Sequence, residues 1–145
     1  MLVYRCRANI FEHQIDHDDM RGLIRLLKNG QAIWYSPDQD FGLKQGVMAP
    51  FFGVPAATVT AHRRLMKISK AAAAPLYFYR DGDIKDPRYH VLLEPALDNF
   101  PSEDEVADAT RVNQIIERQL RIAPTQYMWF HRRFKTRPEG FEKIY

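Results

Sequence analysis

The sequence predicts one α/β domain in which a partial, mixed and mostly parallel sheet is flanked by helices. Two observations lead to this class. Segments of strand character alternate with segments of helical character along the chain, an order typical of sheets whose neighbouring strands run parallel. The length of 145 residues, with 46% hydrophobic and 27% charged residues, is that of a single ordinary globular domain.

Three segments have the apolar spacing and the end signals of helices. Residues 18–30 begin with aspartates that can cap a helix and end at an Asn-Gly pair. In residues 101–124 a first proline precedes Ser102 and Glu105, which have the spacing of a capping box, and a second proline closes the segment. Residues 56–69 are predicted as the third helix, although their first turns contain β-branched residues.

Four short apolar segments are predicted as strands, at residues 2–4, 31–36, 75–80 and 88–95. A polar turn cluster, DGDIKDP, separates the last two. In parallel sheets, functional residues collect where strands end at their carboxyl edge. The loop that follows residues 31–36 is therefore the first place to look for a site.

That loop carries two carboxylates, Asp38 and Asp40, within the sequence PDQDFG. Carboxylates this close can bind a metal ion, share a proton or steer a cationic group. The structural alternative is that Asp38 caps a turn after Pro37 and that Asp40 is solvated. No nearby histidine or run of carboxylates supplies further metal ligands, so we expect no metal site and no cofactor.

A basic stripe lies on the helix predicted at residues 56–69, where Arg63, Lys67 and Lys70 share one face. The stripe can face phosphate groups, although a solvated helix surface is the commoner outcome for such spacing. The sequence does not decide between the two.

The positive charge of the protein is concentrated at its C-terminal end. Residues 121–145 hold six basic and two acidic residues, a net charge of +4, whereas residues 1–120 hold 15 basic and 16 acidic residues. The formal net charge of +3 therefore comes from this end alone. Such a distribution indicates a local anionic partner rather than a globally basic protein.

The only cysteine, Cys6, excludes an intrachain disulfide and fits a reducing environment that faces the cytosol. No window of the sequence reaches the roughly 18–20 uninterrupted apolar residues that a membrane-spanning helix needs. The first residues, MLVYRCR, meet charge too early for a secretory signal.

The closing segment, residues 126–140, combines aromatic rings with four cations, Arg132, Arg133, Lys135 and Arg137. Three partners fit this chemistry. Single-stranded nucleic acid offers stacking and phosphate contacts, an anionic membrane surface favours aromatic anchors beside basic residues, and a phosphorylated glycolipid accepts bidentate arginine contacts. The structural alternative places the rings in the core and leaves the cations solvated.

Long stretches of this sequence resemble the C-terminal portion of the lipid A biosynthesis acyltransferases, the lauroyl and myristoyl transferases of Gram-negative bacteria. The resemblance rests on IWYSPDQDFG, VMAPFFGVPAATVTA, PLYFYR and APTQYMWFHRRFKTRPEG, and it covers most of the chain. It implies that residues 1–145 are the C-terminal portion of one acyltransferase domain with a glycerolipid-acyltransferase-like fold.

The resemblance also implies an activity and its partners. Such enzymes act on the cytoplasmic face of the bacterial inner membrane and transfer a fatty acyl chain from acyl carrier protein to a phosphorylated, Kdo-bearing lipid A precursor. Asp38 matches the acidic residue of the family's Pro-Asp-x-Asp loop and is the expected catalytic residue. Arg132, Arg133, Lys135 and Arg137 are the expected ligands of the substrate phosphates.

In this family a His-x4-Asp/Glu dyad acts as the general base that deprotonates the acceptor hydroxyl. By the resemblance, that dyad and an N-terminal membrane anchor would lie before residue 1, so we expect this chain alone to be peripheral to the membrane and inactive. His13 and Asp18 have the dyad's spacing, but they lie in an irregular segment where chance explains it.

Two other functions remain as alternatives. The first is a non-catalytic module that binds anionic lipid or a membrane surface through the closing segment. The second is a small RNA-binding protein, but the sequence signatures of such proteins are absent, and we expect no nucleic-acid partner.

Overall fold

A computed structural model of the protein describes residues 9–16 and 19–145. In chain order the elements are α1 (Met20–Lys28), β1 (Gly46–Phe51), β2 (Val54–Val59), α2 (Ala61–Ser69), β3 (Leu76–Asp83), β4 (Asp86–Leu93), α3 (Glu105–Leu120) and two 3₁₀ turns (Pro124–Gln126 and Trp129–His131). The mixed α/β class is confirmed. The strand predicted at residues 2–4 lies outside the described residues.

Both sheets are two-stranded antiparallel hairpins, so the prediction of a mostly parallel sheet is wrong. Phe52 and Gly53 alone join β1 to β2, and both have positive φ, the conformation that tight hairpin turns require. Ile84 and Lys85 join β3 to β4. A two-residue connection can only return the chain antiparallel, whereas a parallel neighbour needs a crossover of about a dozen residues.

Two other predicted elements differ in the structure. Residues 31–36 form no strand. The helix predicted from residue 56 begins only at Ala61, because residues 56–59 pair with β1 as part of β2. The β-branched Thr58 and Val59, which are unusual in a first helical turn, suit a half-buried strand.

The remaining helices and strands agree with the sequence pattern. The carboxylate of Asp19 caps α1 by accepting a hydrogen bond from the Gly22 N–H, at 2.9 Å. Helix α3 is capped by Asp104 rather than Ser102, since Asp104 Oδ1 accepts from the N–H groups of Val106 and Ala107. The two strands predicted on either side of DGDIKDP are confirmed as β3 and β4.

Helix α3 packs across the β1–β2 hairpin and forms the core there. Phe51 and Ala56 from the hairpin are buried against Leu120 of the helix, and the rings of Tyr127 and Phe134 pack onto the same cluster. The closing segment therefore contributes two of its aromatic rings to the hydrophobic core.

A buried carboxylate, Asp108 of α3, joins α3 to α2. Arg63 Nε donates to Asp108 Oδ2 at 2.7 Å, and the Ser102 N–H donates to the same oxygen at 2.9 Å. Burial alone would raise the pKa of Asp108, but these donors hold it below its ordinary value. Arg63 thus points at a protein carboxylate, and the basic stripe of α2 does not face outward as a set.

None of the helices in the two described ranges is long and apolar enough to cross a membrane.

We expect Asp108→Asn to lower the free energy of unfolding at neutral pH by about 2–3 kcal/mol, because it removes the charge from a buried, hydrogen-bonded ion pair. Since folding lowers the pKa of Asp108, this stabilisation is present above the pKa of the unfolded carboxyl and is lost as the pH falls through the folded pKa. Urea denaturation of both proteins from about pH 7 down to pH 3 measures the difference, which should shrink towards the acid end.

The matched control is Glu103→Gln, which removes the exposed ion pair between Lys67 of α2 and Glu103, just before the start of α3. It should change the free energy of unfolding by no more than about 0.5 kcal/mol. A stability difference for Asp108→Asn that does not vary with pH would contradict this account.

Candidate functional site

The closing segment is tied to the loop of residues 37–42 by Asp40, whose side chain is buried. Asp40 Oδ2 accepts from the Thr136 N–H at 2.8 Å, and Oδ1 accepts from the Thr136 hydroxyl at 2.8 Å and from the Gly42 N–H at 2.9 Å. Asp40 is 2% exposed, so it is not the solvated residue that the structural alternative assumed. Its carboxylate holds two distant parts of the chain together.

Asp38 lies in the same loop but is bound more loosely. Its Oδ1 accepts from the Ser36 hydroxyl at 2.9 Å, and its backbone carbonyl accepts from the Tyr127 hydroxyl at 3.4 Å. Burial, with Asp38 as the next contributor, raises the pKa of Tyr127, which keeps that hydroxyl protonated as a donor. The Tyr127 hydroxyl also interacts with the Asp38 carboxylate itself, which is half-buried.

Arg133 is the most deeply buried of the four predicted phosphate ligands, at 1% exposure. Its Nη1 donates to the Ala57 carbonyl at 2.6 Å, and its Nη2 donates to the Thr58 hydroxyl and the Asn113 side-chain carbonyl at 2.8 and 3.1 Å. Its guanidinium carbon lies 5.1 Å from the Phe51 ring centroid. Arg133 therefore fastens the closing segment to β2 and α3, and in this chain it has no surface for a ligand.

The other three predicted ligands are more accessible. Arg132, which has a φ of 53°, and Lys135 lie on one turn, closed by a hydrogen bond from the Lys135 N–H to the Arg132 carbonyl at 3.0 Å. Both side chains are exposed. Arg137 is half-buried and donates to the backbone carbonyls of Pro55 and Glu142 at 3.0 and 3.3 Å. Arg132 and Lys135 thus form an exposed cationic turn.

The aromatic residues of the closing segment also divide into buried and exposed members. Tyr127 and Phe134 pack with their ring centroids 6.2 and 5.9 Å from that of Phe51. Trp129 meets Tyr127 edge-on at 4.8 Å, while Phe130 is 75% exposed beside the cationic turn. The structural alternative therefore describes part of the segment, and the remainder faces solvent.

A large cleft, which the sequence did not indicate, lies between α1, α2, α3 and two extended segments, residues 31–37 and 71–76. Its volume is about 1110 Å³, and apolar side chains form most of its walls. The sequence predicted residues 31–36 as a strand, whereas these residues form no strand and most of them line the cleft as an extended segment.

His62 of α2 lines this cleft and is almost fully buried. Its ring stacks on Phe100 at 5.8 Å and lies 5.7 Å from the Tyr35 ring, and neither of its nitrogens has a hydrogen-bond partner in the described part of the chain. Burial, aided by Arg63 and opposed by Asp108, lowers the pKa of His62 to about 4. The imidazole is therefore neutral at pH 7.

No metal centre is evident within residues 9–16 and 19–145, where no three histidine, cysteine or acidic side chains come close enough together to hold an ion. Of the pair with dyad spacing, Asp18 lies outside the described residues. His13 lies at the surface, 3.8 Å from the Glu12 carboxylate.

In chemical terms, the loop that carries Asp38 is bonded through Asp40 to the segment that carries an exposed cationic turn, and cationic side chains of this kind suit an anionic ligand. The family described as bacterial lipid A biosynthesis acyltransferase matches residues 2–136. The chain therefore belongs to that acyltransferase family, and the resemblance noted in the sequence is confirmed.

Individual relatives agree with this assignment. The lipid A biosynthesis lauroyltransferase of Escherichia coli K12 is 39% identical over 142 residues, which are 97% of this chain and 45% of that protein. A lipid A biosynthesis acyltransferase of Haemophilus influenzae is 40% identical over 93% of this chain and 43% of its own length. The E. coli lipid A biosynthesis myristoyltransferase is 32% identical over 86% of this chain and 38% of its own. The chain thus spans less than half the length of these relatives.

We expect Asp40→Ala to release the closing segment, because it removes the acceptor of three hydrogen bonds, two of them from Thr136. The loss should be about 2–4 kcal/mol of unfolding free energy, since hydrogen bonds to a charged acceptor are the stronger ones. Hydrogen exchange followed by mass spectrometry should show faster exchange of the Thr136 amide.

Asp38→Ala is the matched control, two residues away in the same loop. It should leave the Thr136 amide protected and cost less than about 1 kcal/mol, because the half-buried Asp38 carboxylate accepts from the nearby Ser36 hydroxyl and makes no bond to Thr136. Equal effects of the two variants on stability and on Thr136 exchange would contradict the account that Asp40, and not Asp38, holds the closing segment.

Proposed function

We propose that this chain takes part in lipid A biosynthesis by helping to transfer a fatty acyl chain from acyl carrier protein to a phosphorylated, Kdo-bearing lipid A precursor. Membership of the acyltransferase family supports the reaction class. The observation that carries the proposal is the bond between Asp40 and Thr136, because it holds the Asp38 loop against the segment that bears the cationic turn.

The cationic turn is the proposed binding surface for the precursor's phosphates. Arg132 offers a planar fork of donors that matches phosphate oxygens, and Lys135 adds a compact positive charge on the same turn. Arg137 stands next to this pair but already binds two carbonyls, so it has fewer free donors. Arg133 supports the surface from within, because its guanidinium fixes the backbone between the two exposed cations.

Asp38 is the proposed catalytic residue of this chain. Its carboxylate can accept a hydrogen bond from a sugar hydroxyl of the precursor and so hold the acceptor in position for attack. In the reaction, the acceptor oxygen loses its proton to a general base and bonds to the acyl carbonyl carbon. The carbon–sulfur bond of the thioester then breaks, and the carrier's thiol leaves with a proton.

The general base of this scheme is not among the residues assigned here. We therefore expect that the chain by itself transfers no acyl group and that activity requires the part of the relatives that it does not span. We also expect the work to take place at the cytoplasmic face of the inner membrane, where the exposed Phe130 and the cationic turn can both meet anionic lipid.

A second candidate function is a non-catalytic module that binds anionic membrane surfaces. The exposure of Met128 and Phe130 beside Arg132 favours it, since apolar side chains flanked by cations are typical of membrane-surface anchors. Such a module would bind any anionic lipid, whereas the acyltransferase site should prefer the phosphorylated sugar.

A fusion of this chain to the part of the E. coli lauroyltransferase that it does not match should restore transfer. We expect turnover of lauroyl carrier protein with a Kdo-bearing lipid A precursor by the fusion and none by the chain alone. In the fusion, Asp38→Asn should lower kcat/KM by roughly 100-fold, because a misplaced acceptor reacts that much more slowly.

Asp86→Asn, at the exposed tip of the β3–β4 hairpin, is the control and should leave kcat/KM within about twofold, since surface changes away from a site have small effects. Robust turnover by the chain alone, or full activity of the Asp38 variant in the fusion, would overturn the proposal.

Vesicle flotation distinguishes the two candidate functions. The double variant Arg132→Gln/Lys135→Gln should bind vesicles that contain a bisphosphorylated lipid A precursor roughly 10- to 30-fold more weakly, at about 1 kcal/mol per lost cation. The control Lys28→Gln/Lys85→Gln removes the same charge from distant surfaces and should bind as the native chain does. Equal binding to phosphatidylglycerol vesicles would favour the non-catalytic module.

A further inference from the structure

Strand β3 has one edge that pairs with no other strand of the described residues, called the free edge below, and its direction follows from the hydrogen bonds of the hairpin. Arg80 lies opposite Tyr89 in the register, yet its backbone N–H and carbonyl bond to the Gln126 side chain, at 2.9 and 2.6 Å. The backbone N–H and carbonyl of Arg80 therefore point away from β4. In an antiparallel pair this orientation recurs at every second residue, so the backbone groups of Leu76 and Phe78 also point away from β4.

Backbone bonds beyond the start of the strand fit the same alternation. The Glu94 N–H donates to the Pro75 carbonyl at 2.9 Å, and the Leu97 N–H donates to the Ala73 carbonyl at 2.8 Å. In β3 and just before it, the backbone groups of odd-numbered residues thus point towards β4, and those of even-numbered residues point away from it. No described residue bonds the outward N–H and carbonyl groups of Leu76 and Phe78.

Gln126 sets the limit of this free edge. Its side-chain amide donates to the Arg80 carbonyl and accepts from the Arg80 N–H, as the backbone of a neighbouring strand would do. From Arg80 onward the edge is occupied. The open part runs from Phe78 back through Leu76 to Ala74, and its lower half opens into the cleft, which both Leu76 and Ala74 line.

The opposite wall of the cleft has the same property. Within the extended segment of residues 32–36, the backbone makes no hydrogen bond to any described residue, although the side chains of Ile33 and Tyr35 line the cleft. Two walls whose backbone groups have no partner among residues 9–16 and 19–145 therefore line a space of about 1110 Å³. His62 lines the same space, and its two ring nitrogens have no partner among those residues either.

These features select a polypeptide over a lipid chain as the occupant. A hydrocarbon tail could fill the apolar volume, but it would leave the backbone donors and acceptors desolvated without partners, which costs free energy for each group. An extended peptide fills the volume with alternate side chains and satisfies the edge with its own backbone. A two-stranded hairpin is also only marginally stable alone, and a third strand would stabilise it.

The apolar face of the hairpin leads to the same conclusion. Leu76, Phe78, Val91 and Leu93 share one face and are 45%, 63%, 70% and 71% exposed. This row continues the cleft, because Leu76 and Leu93 belong to both. An apolar face this exposed is typical of a surface that another part of a protein covers.

We propose that the free edge of β3, from Ala74 to Phe78, accepts a β-strand from the part of the acyltransferase that this chain does not span. The choice of partner rests on the proposed function, and its size fits the comparisons, since the chain covers only 45% of the E. coli lauroyltransferase. The added strand enters the cleft beside residues 32–36 and ends at Gln126.

The test is co-expression of this chain with a tagged probe, the part of the E. coli lauroyltransferase that it does not match, followed by purification on the tag and measurement of affinity. Leu76→Pro removes one outward N–H from the free edge of β3. Leu93→Pro, directly opposite in the register, removes the same side chain and an outward N–H from the other edge.

We expect Leu76→Pro to weaken binding at least tenfold and Leu93→Pro to weaken it less than threefold. Hydrogen exchange on the native chain gives a reading that does not depend on whether a variant folds: the amides of Leu76 and Phe78 should exchange at least tenfold more slowly in the complex, and that of Val91 should not. Equal losses in both variants, no change at Leu76 and Phe78, or no co-purification would each overturn the inference.

The acyl-transfer fusion separates this inference from the proposed function. A fusion that transfers lauroyl groups equally well with Leu76→Pro would retain the function and overturn the strand. Co-purification with the expected protection, from a fusion that shows no transfer, would support the strand and overturn the function.

Discussion

The buried guanidinium of Arg133 is the interaction on which the rest of this structure depends. Moving a cation out of water is costly unless its donors are paired. Here Ala57, Thr58 and Asn113 supply acceptors from β2 and α3 to the two terminal nitrogens, and the Phe51 ring covers the planar group. Nε is buried without a hydrogen-bond partner in the described part of the chain. Burial lowers the pKa of Arg133, and Tyr127 and the two loop aspartates oppose that shift.

The burial of Arg133 explains how one short segment can serve two purposes. Because Arg133 points inward, the turn around it must direct Arg132 and Lys135 outward, and Thr136 reaches Asp40 a few residues later. Tyr127 and Phe134 enter the core on either side. The exposed cations are thus held on a rigid base, which lowers the ordering cost of gripping a phosphate group. The same segment also fixes the loop of Asp38, because Asp40, two residues further on, bonds to Thr136.

Much of the fold could be predicted from local signals. The cap and periodicity of α1, the stripe of α3 and the turn cluster between β3 and β4 each lie within a few residues of the element they specify. The β1–β2 hairpin was missed because its turn, Phe52-Gly53, lacks the usual Asn-Gly signature and its second strand is rich in alanine. The parallel sheet was then inferred from an alternation that omitted this hairpin.

The site was only partly predictable for a different reason. The sequence singled out Asp38 and the closing cations as candidates, but the burial of Asp40 and Arg133 depends on partners 96 and 76 residues away along the chain. No local pattern reports such contacts. The free edge of β3 is similarly invisible in the sequence, since it is defined by what the Gln126 amide does and does not cover.

The central claim is that Arg133 is a buried structural residue whereas its neighbour Arg132 binds phosphate. Solution NMR of the Arg Nε–Hε groups tests this claim most directly. The labelled chain is titrated with a bisphosphorylated glucosamine disaccharide, the headgroup of lipid A. We predict a saturable shift for Arg132 and an unchanged resonance for Arg133. A saturable shift of Arg133, or no shift of Arg132, would contradict the account.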